Sequence, residues 1–138
     1  MKILVPVDGS ETSARAVQFM VKQVQNSKEI PELHLLNVQH ALPGNIKGVA
    51  DQAKQYHHDE GIKALTNARK ALDDANIKYD YHISVGEVGE VVAHFVKDLK
   101  CDQVVMGTRG MGSVANLLMG STATKVLHAV NVPVLLVK

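Results

Sequence analysis

A chain of 138 residues, 46% hydrophobic and 21% charged, has the size and mixture of one globular domain that buries its own core, so residues 1–138 are expected to form a single domain. Lys plus Arg is 15 and Asp plus Glu is 14, and the formal charge of +1 leaves no overall electrostatic footprint for nucleic acid or an anionic membrane. The single cysteine, Cys101, excludes an intramolecular disulfide and a Cys-based zinc cluster; it reads as a small buried apolar side chain between a helix and a strand.

The N-terminal run from Met1 to Asp8 is too short for a signal peptide, and no stretch approaches the roughly 18 apolar residues of a spanning helix. A cytoplasmic protein is expected. Ile3 to Val7, ended by Asp8-Gly9-Ser10, reads as a strand buried on both faces and then a turn. A helix follows, capped by Ser10 or Thr12, with Glu11 in its first turn and Ala14, Val17, Val21 and Val24 on its inner face. Leu33 to Val38 is the second strand, and Gln39 to Val49, holding Pro43, Gly44 and Gly48, is a loop.

Asp51 to Ala75 is expected to be a long polar helix whose buried stripe is Leu65, Ala68 and Leu72. Tyr79 to Val85 alternates as a third strand. Val88, Val91, Val92, Phe95 and Leu99 then recur at helical spacing, the clearest amphipathic pattern in the chain. Gln103 to Met106 and Val132 to Val137 are strands four and five, with a helix from Ser121 or Thr122 toward Val130 between them. Such alternation predicts an α/β fold: an open, doubly wound, five-stranded parallel sheet with helices on both faces.

In such a sheet ligands bind beyond the carboxyl ends of the strands, where the strand order reverses. With order 3-2-1-4-5, the segment after strand one (Asp8-Gly9-Ser10) and that after strand four (Gly107 to Gly112) face one crevice. Glycines at 107, 110, 112 and 120 allow a bulky anion to approach main-chain N–H groups, and a helix starting at Ser121 or Thr122 aims its positive end there. No Asp or Glu occurs after Asp102, while Arg109 and Lys125 lie near the expected phosphates. Two plainer readings stand beside this one: the glycines make a tight strand-to-helix turn, and Asp8 caps its own turn.

Gly110-Met111-Gly112-Ser113-Val114-Ala115 fits a dinucleotide fingerprint, but that motif expects an acidic residue about 20 positions later, and there is none. The phosphate loop ending in Gly-Lys and then Ser or Thr is also missing. His57-His58-Asp59-Glu60 reads as a solvated helix face, and the other histidines are scattered without ligand spacing, so no metal site is assigned.

Gly107, Gly110, Gly120 and Ser121 follow the pattern glycine, two residues, glycine, nine residues, glycine and serine. Together with Ile3-Leu4-Val5-Pro6-Val7-Asp8-Gly9-Ser10 at the start and Val132-Pro133-Val134-Leu135-Leu136-Val137 at the end, they resemble the nucleotide-binding members of the universal stress protein family over the whole chain. The resemblance implies that Pro6, Val7 and Asp8 line the adenosine, with Asp8 accepting from a ribose hydroxyl. Val38 would present main-chain groups to the adenine edge, and Met106 would touch the nucleoside. Gly107, Gly110, Gly120, Ser121 and Thr122 would hold the phosphates, with Arg109 as an extra contact.

The ligand implied is ATP, ADP or AMP, with Mg²⁺ bridging phosphates rather than caged by protein. No catalytic residue is assigned, because no base is found to orient an attacking water; a nucleotide-binding stress-response or regulatory module is expected, with a slow ATP hydrolase or phosphotransferase as the alternative. Strand 132–137 should lie at a sheet edge and pair antiparallel with a second copy as a homodimer, which the resemblance also implies.

Overall fold

The computed structural model describes residues 1–42, 50–108 and 119–138. In chain order the elements are β1 (Lys2–Pro6), α1 (Glu11–Gln25), β2 (Glu32–Gln39), α2 (Ala50–Asp74), β3 (Tyr79–Val85), α3 (Val88–Leu99), β4 (Gln103–Gly107), α4 (Ser121–Ala129) and β5 (Val134–Val137). The strands form one parallel sheet in the expected order, β3-β2-β1-β4-β5. Strand β1 is therefore central, paired along its length with β2 (Lys2↔Glu32 to Pro6↔Leu36) and with β4 at Ile3↔Gln103 and Leu4↔Val104.

Alternate residues of the central strands feed two cores, which is why these strands read as unbroken apolar runs. Ile3, Val5, Leu33, Leu35 and Val105 pack with α1 and α2 through Val17, Met20, Leu65 and Leu72. Leu4, Leu36, Val104 and Met106 pack on the other face with α3 and α4 through Val92, Val96 and Val126. Cys101 is buried in that second layer as a free thiol, and burial pushes its pKa up.

The expected stripe of α2 is buried as read, whereas that of α1 is shifted. Ala14 is exposed, and the inner face consists of Ser13, Ala16, Val17, Met20, Val21 and Val24. The cap sets this phase: Ser10 Oγ accepts from the Ser13 amide at 3.2 Å, and Ser13 Oγ donates back to the Ser10 carbonyl at 2.9 Å. Strand β5 begins at Val134 rather than Val132, after Pro133, which has no N–H for the ladder. Gln39 belongs to β2 and not to the loop that follows; residues 43–49 of that loop lie outside the described residues.

The histidines also depart from expectation. His57 is buried rather than part of a solvated face, although His58 and Asp59 beside it are exposed, because one position in a helix turns the side chain by about 100°. His34 and His82 are not scattered: His34 Nδ1 lies 3.0 Å from His82 Nε2, and its Nε2 lies 2.8 Å from Glu32 Oε2. Among the described residues no group of three His, Cys, Asp or Glu is arranged to hold a metal ion. None of their helices is long and apolar enough to cross a membrane.

Candidate functional site

Beyond the carboxyl ends of β1, β2 and β4 lies a crevice of about 330 Å³, within the range of small-molecule sites. Its walls include Pro6, Val7, Asp8, Val38, Met106, Gly107, Ser121 and Thr122, so eight of the eleven residues expected at the site are brought together. Gly120 adjoins them as the N-cap of α4. Arg109 and Gly110 lie outside the described residues.

The turn after β1 is fixed by Asp8, whose Oδ1 accepts from the Ser10 amide at 2.9 Å. The plainer reading of Asp8 as a turn former therefore holds, and its carboxylate also faces the crevice. Across from it, the buried Asn37 donates from Nδ2 to the Val7 carbonyl at 2.8 Å and accepts from Gln39 Nε2 at 2.6 Å. Lys125 lines the crevice, near the phosphates as expected, and Asn37, Gln39 and His40 line it without having been expected as contacts. The readable signal for Asn37 was a lone amide inside the apolar run Leu33-His34-Leu35-Leu36-Asn37-Val38.

Helix α4 begins differently from the other helices that flank the crevice. Ser10 caps α1, and Glu87 caps α3 by accepting from the Gly89 and Glu90 amides, which holds its carboxyl below the usual range. At α4 the N-cap is Gly120, with no side-chain cap hydrogen bond and no acidic residue in the first turn. Among the described residues no side chain therefore caps the positive end of this helix, which has Ser121 and Thr122 in the crevice wall and Lys125 one turn on.

Two glycines act otherwise than the phosphate argument proposed. The Gly120 amide is already spent on the Thr108 carbonyl at 2.6 Å, and the Gly120 backbone is ordinary extended chain (φ −77°, ψ 168°), so this residue offers a cap position rather than an amide for an anion. A Cβ on Gly107 would stand 2.7 Å from the Thr12 carbonyl carbon and 2.8 Å from Thr12 Cβ and O. Gly107 is therefore required by the close passage of α1 over β4, a reason independent of any ligand.

A family model, the universal stress protein family, matches residues 1–138. Universal stress protein MJ0531 of Methanocaldococcus jannaschii is 26% identical over 138 residues, covering 99% of this chain and 81% of that one. The solved structure of MJ0577, from the same organism, superposes with a TM-score of 0.83 at 28% identity, covering 99% of this chain and 94% of that one. A universal stress protein family member from Arabidopsis thaliana, solved with AMP bound, shares the fold at a TM-score of 0.72 and 20% identity, covering 100% of this chain and 91% of that one.

Proposed function

The chain belongs to the universal stress protein family, and from that membership we propose that it is a stress-response or regulatory module that binds ATP, or its relatives ADP and AMP, in the crevice beyond β1 and β4. The observation that carries this reading is that among the described residues no side chain caps the start of α4, whose Ser121 and Thr122 line a crevice shared with the ends of β1 and β2. The AMP-bound relative supports an adenine nucleotide as the ligand class.

In this reading Pro6, Val7 and Met106 enclose the nucleoside, Asp8 accepts from a ribose hydroxyl, and Val38 meets the adenine edge. The first-turn amides and hydroxyls of Ser121 and Thr122 hold phosphate oxygens beside Lys125, with Arg109 and Gly110 as further contacts, while Gly107 lines the crevice and Gly120 serves as the helix cap. Mg²⁺ bridges phosphate oxygens and keeps most of its waters. Micromolar affinity corresponds to about 8 kcal/mol, which a few charge-assisted hydrogen bonds at roughly 1.5 to 3 kcal/mol each, together with a buried purine, supply after association costs.

Binding without rapid turnover is favoured because Asp8 is the only carboxylate lining the crevice among the described residues, and it is already engaged in the turn. The module works in the cytoplasm as a homodimer. Residues 132–137, on the open side of the sheet where Leu135 is 36% exposed, pair antiparallel with those of a second copy.

Calorimetric titration with ATP, ADP and AMP, with and without MgCl₂, tests the proposal. Micromolar binding that weakens about tenfold in Lys125→Glu supports it, a loss of about 1.4 kcal/mol. Heat of dilution alone for all three nucleotides would reject it.

A further inference from the structure

Main-chain hydrogen bonds in β2 alternate between its two neighbours. The Leu36 carbonyl accepts from the Val7 amide at 2.8 Å, toward β1, and the Gln39 carbonyl accepts from the Gly86 amide at 3.0 Å, toward β3. In a parallel strand the N–H and C=O of one residue point to the same side, so both polar groups of Val38 point toward β1. The next rung of that ladder would be the Val38 amide donating to the Val7 carbonyl. Among the described residues this rung is not made: the Val7 carbonyl is taken by Asn37 Nδ2.

The amide side chain is held in that orientation from both ends. A carbonyl only accepts, so the Asn37 NH₂ must face Val7, while its oxygen accepts from Gln39 Nε2 at 2.6 Å. Asn37 is buried, with 2% of its surface exposed, so water does not compete for these bonds. Strand β1 ends in this way without consuming the peptide groups of Val38, which lines the crevice.

We propose that Asn37 is the positioning residue that terminates the β1–β2 ladder one rung early, and that the Val38 donor and acceptor thereby released select a 6-aminopurine over a 6-oxopurine. This deepens, and rests on, the nucleotide-binding reading above. A 6-aminopurine offers an acceptor ring nitrogen beside an exocyclic donor, complementary to one residue's N–H and C=O. A 6-oxopurine offers a donor beside an acceptor and leaves both Val38 groups unpaired, the kind of mismatch on which hydrogen-bonding sites discriminate.

The test uses Asn37→Val, which removes the donor and suits a strand, and Asn37→Asp, which keeps the size but cannot donate to Val7. In the nucleotide-free protein, amide hydrogen exchange at Val38 should slow at least about tenfold in Asn37→Val, as the released Val7 carbonyl captures that N–H. In calorimetry the wild type should prefer ATP to GTP by at least about tenfold, and either variant should reduce this ratio to about threefold or less; a merely structural residue would weaken both nucleotides alike.

Unchanged Val38 exchange in folded Asn37→Val overturns the ladder argument. Slowed exchange with the ATP preference intact overturns the selectivity argument. If Asn37→Val does not fold, Asn37→Asp decides through the ratio. Should the wild type bind neither nucleotide, the functional reading fails, while the exchange measurement still judges the role of Asn37.

Discussion

Gly107→Ala isolates the packing of α1 on β4 from any property of a ligand. The added methyl would lie 2.7 to 2.8 Å from three Thr12 atoms, two of them main chain, whereas an unstrained carbon contact needs roughly 3.5 Å or more. The start of α1 must then retreat by about 0.8 Å, against the Ser10 cap and the Asp8 turn that anchor it. Overpacking of this kind costs about 1 to 3 kcal/mol, and the reduced freedom of the unfolded chain returns about 0.4 to 1 kcal/mol. A net loss of about 1 to 2 kcal/mol lowers Tm by roughly 3 to 10 °C for a domain of this size. Thermal and urea unfolding followed by circular dichroism measures it, with an unchanged m value showing that the denatured state is unaltered. At Gly61 the three nearest atoms such a methyl would meet all belong to the Ile83 side chain, at 2.6 to 2.8 Å, and this β-branched residue packs against the core, so Gly61→Ala should be destabilising as well. A Gly107→Ala Tm equal to or above that of wild type would mean that Thr12 does not bar a methyl at this position.

Three further outcomes are expected. Glu87→Ala removes the acceptor for two α3 amides and should lower the urea unfolding midpoint; an unchanged midpoint would contradict the capping role. Lys100 ends α3 in the left-handed region (φ 56°, ψ 49°), so Lys100→Gly should gain about 0.5 kcal/mol, the relieved strain exceeding the added chain entropy; a lower Tm would contradict it. Burial and the neighbouring His34 hold His82 below its ordinary pKa, while Asp80 opposes the shift, so folding favours the neutral ring. The associated stability is complete above about pH 6.5, where the unfolded chain begins to take up the proton first, and is lost as pH falls from there through the lower pKa of the folded state. His82→Phe should therefore flatten the pH dependence of the urea midpoint between about pH 7.5 and 5.5. Glu32, lowered chiefly by its bond to His34, acts only in the lower, carboxylate range and is separable.

The fold was legible because its signals are periodic. Val92 and Val96 on α3, and Leu65, Ala68 and Leu72 on α2, repeat at helical spacing, while runs such as Leu33 to Leu36 mark strands covered on both faces. Polar residues were less readable. Ser13 is buried because a cap hydrogen bond satisfies it, and His34 is buried because Glu32 and His82 take both ring nitrogens; neither partner is visible in a hydropathy pattern. At the site, motif spacing placed Asp8, Met106, Ser121 and Thr122 on one crevice, but glycine density carried two meanings at once. Gly107 answers to a neighbouring helix, and the Gly120 amide to a loop carbonyl, both contacts that exist only after the chain has folded. Asn37 escaped because its work is done on the main chain of another strand.

The central position of β1 has a consequence for biosynthesis. Of the five strands β1 is made first, and it acquires one neighbour when Glu32 arrives opposite Lys2, but its other side waits for Gln103 to reach Ile3. Until then this apolar strand carries an open hydrogen-bonding edge, which slows closure and exposes the nascent chain to association. A chain stopped before Gln103 would keep β1, β2, β3 and three helices yet leave the middle of the finished sheet as a bare margin, so the fold is completed only by its last quarter.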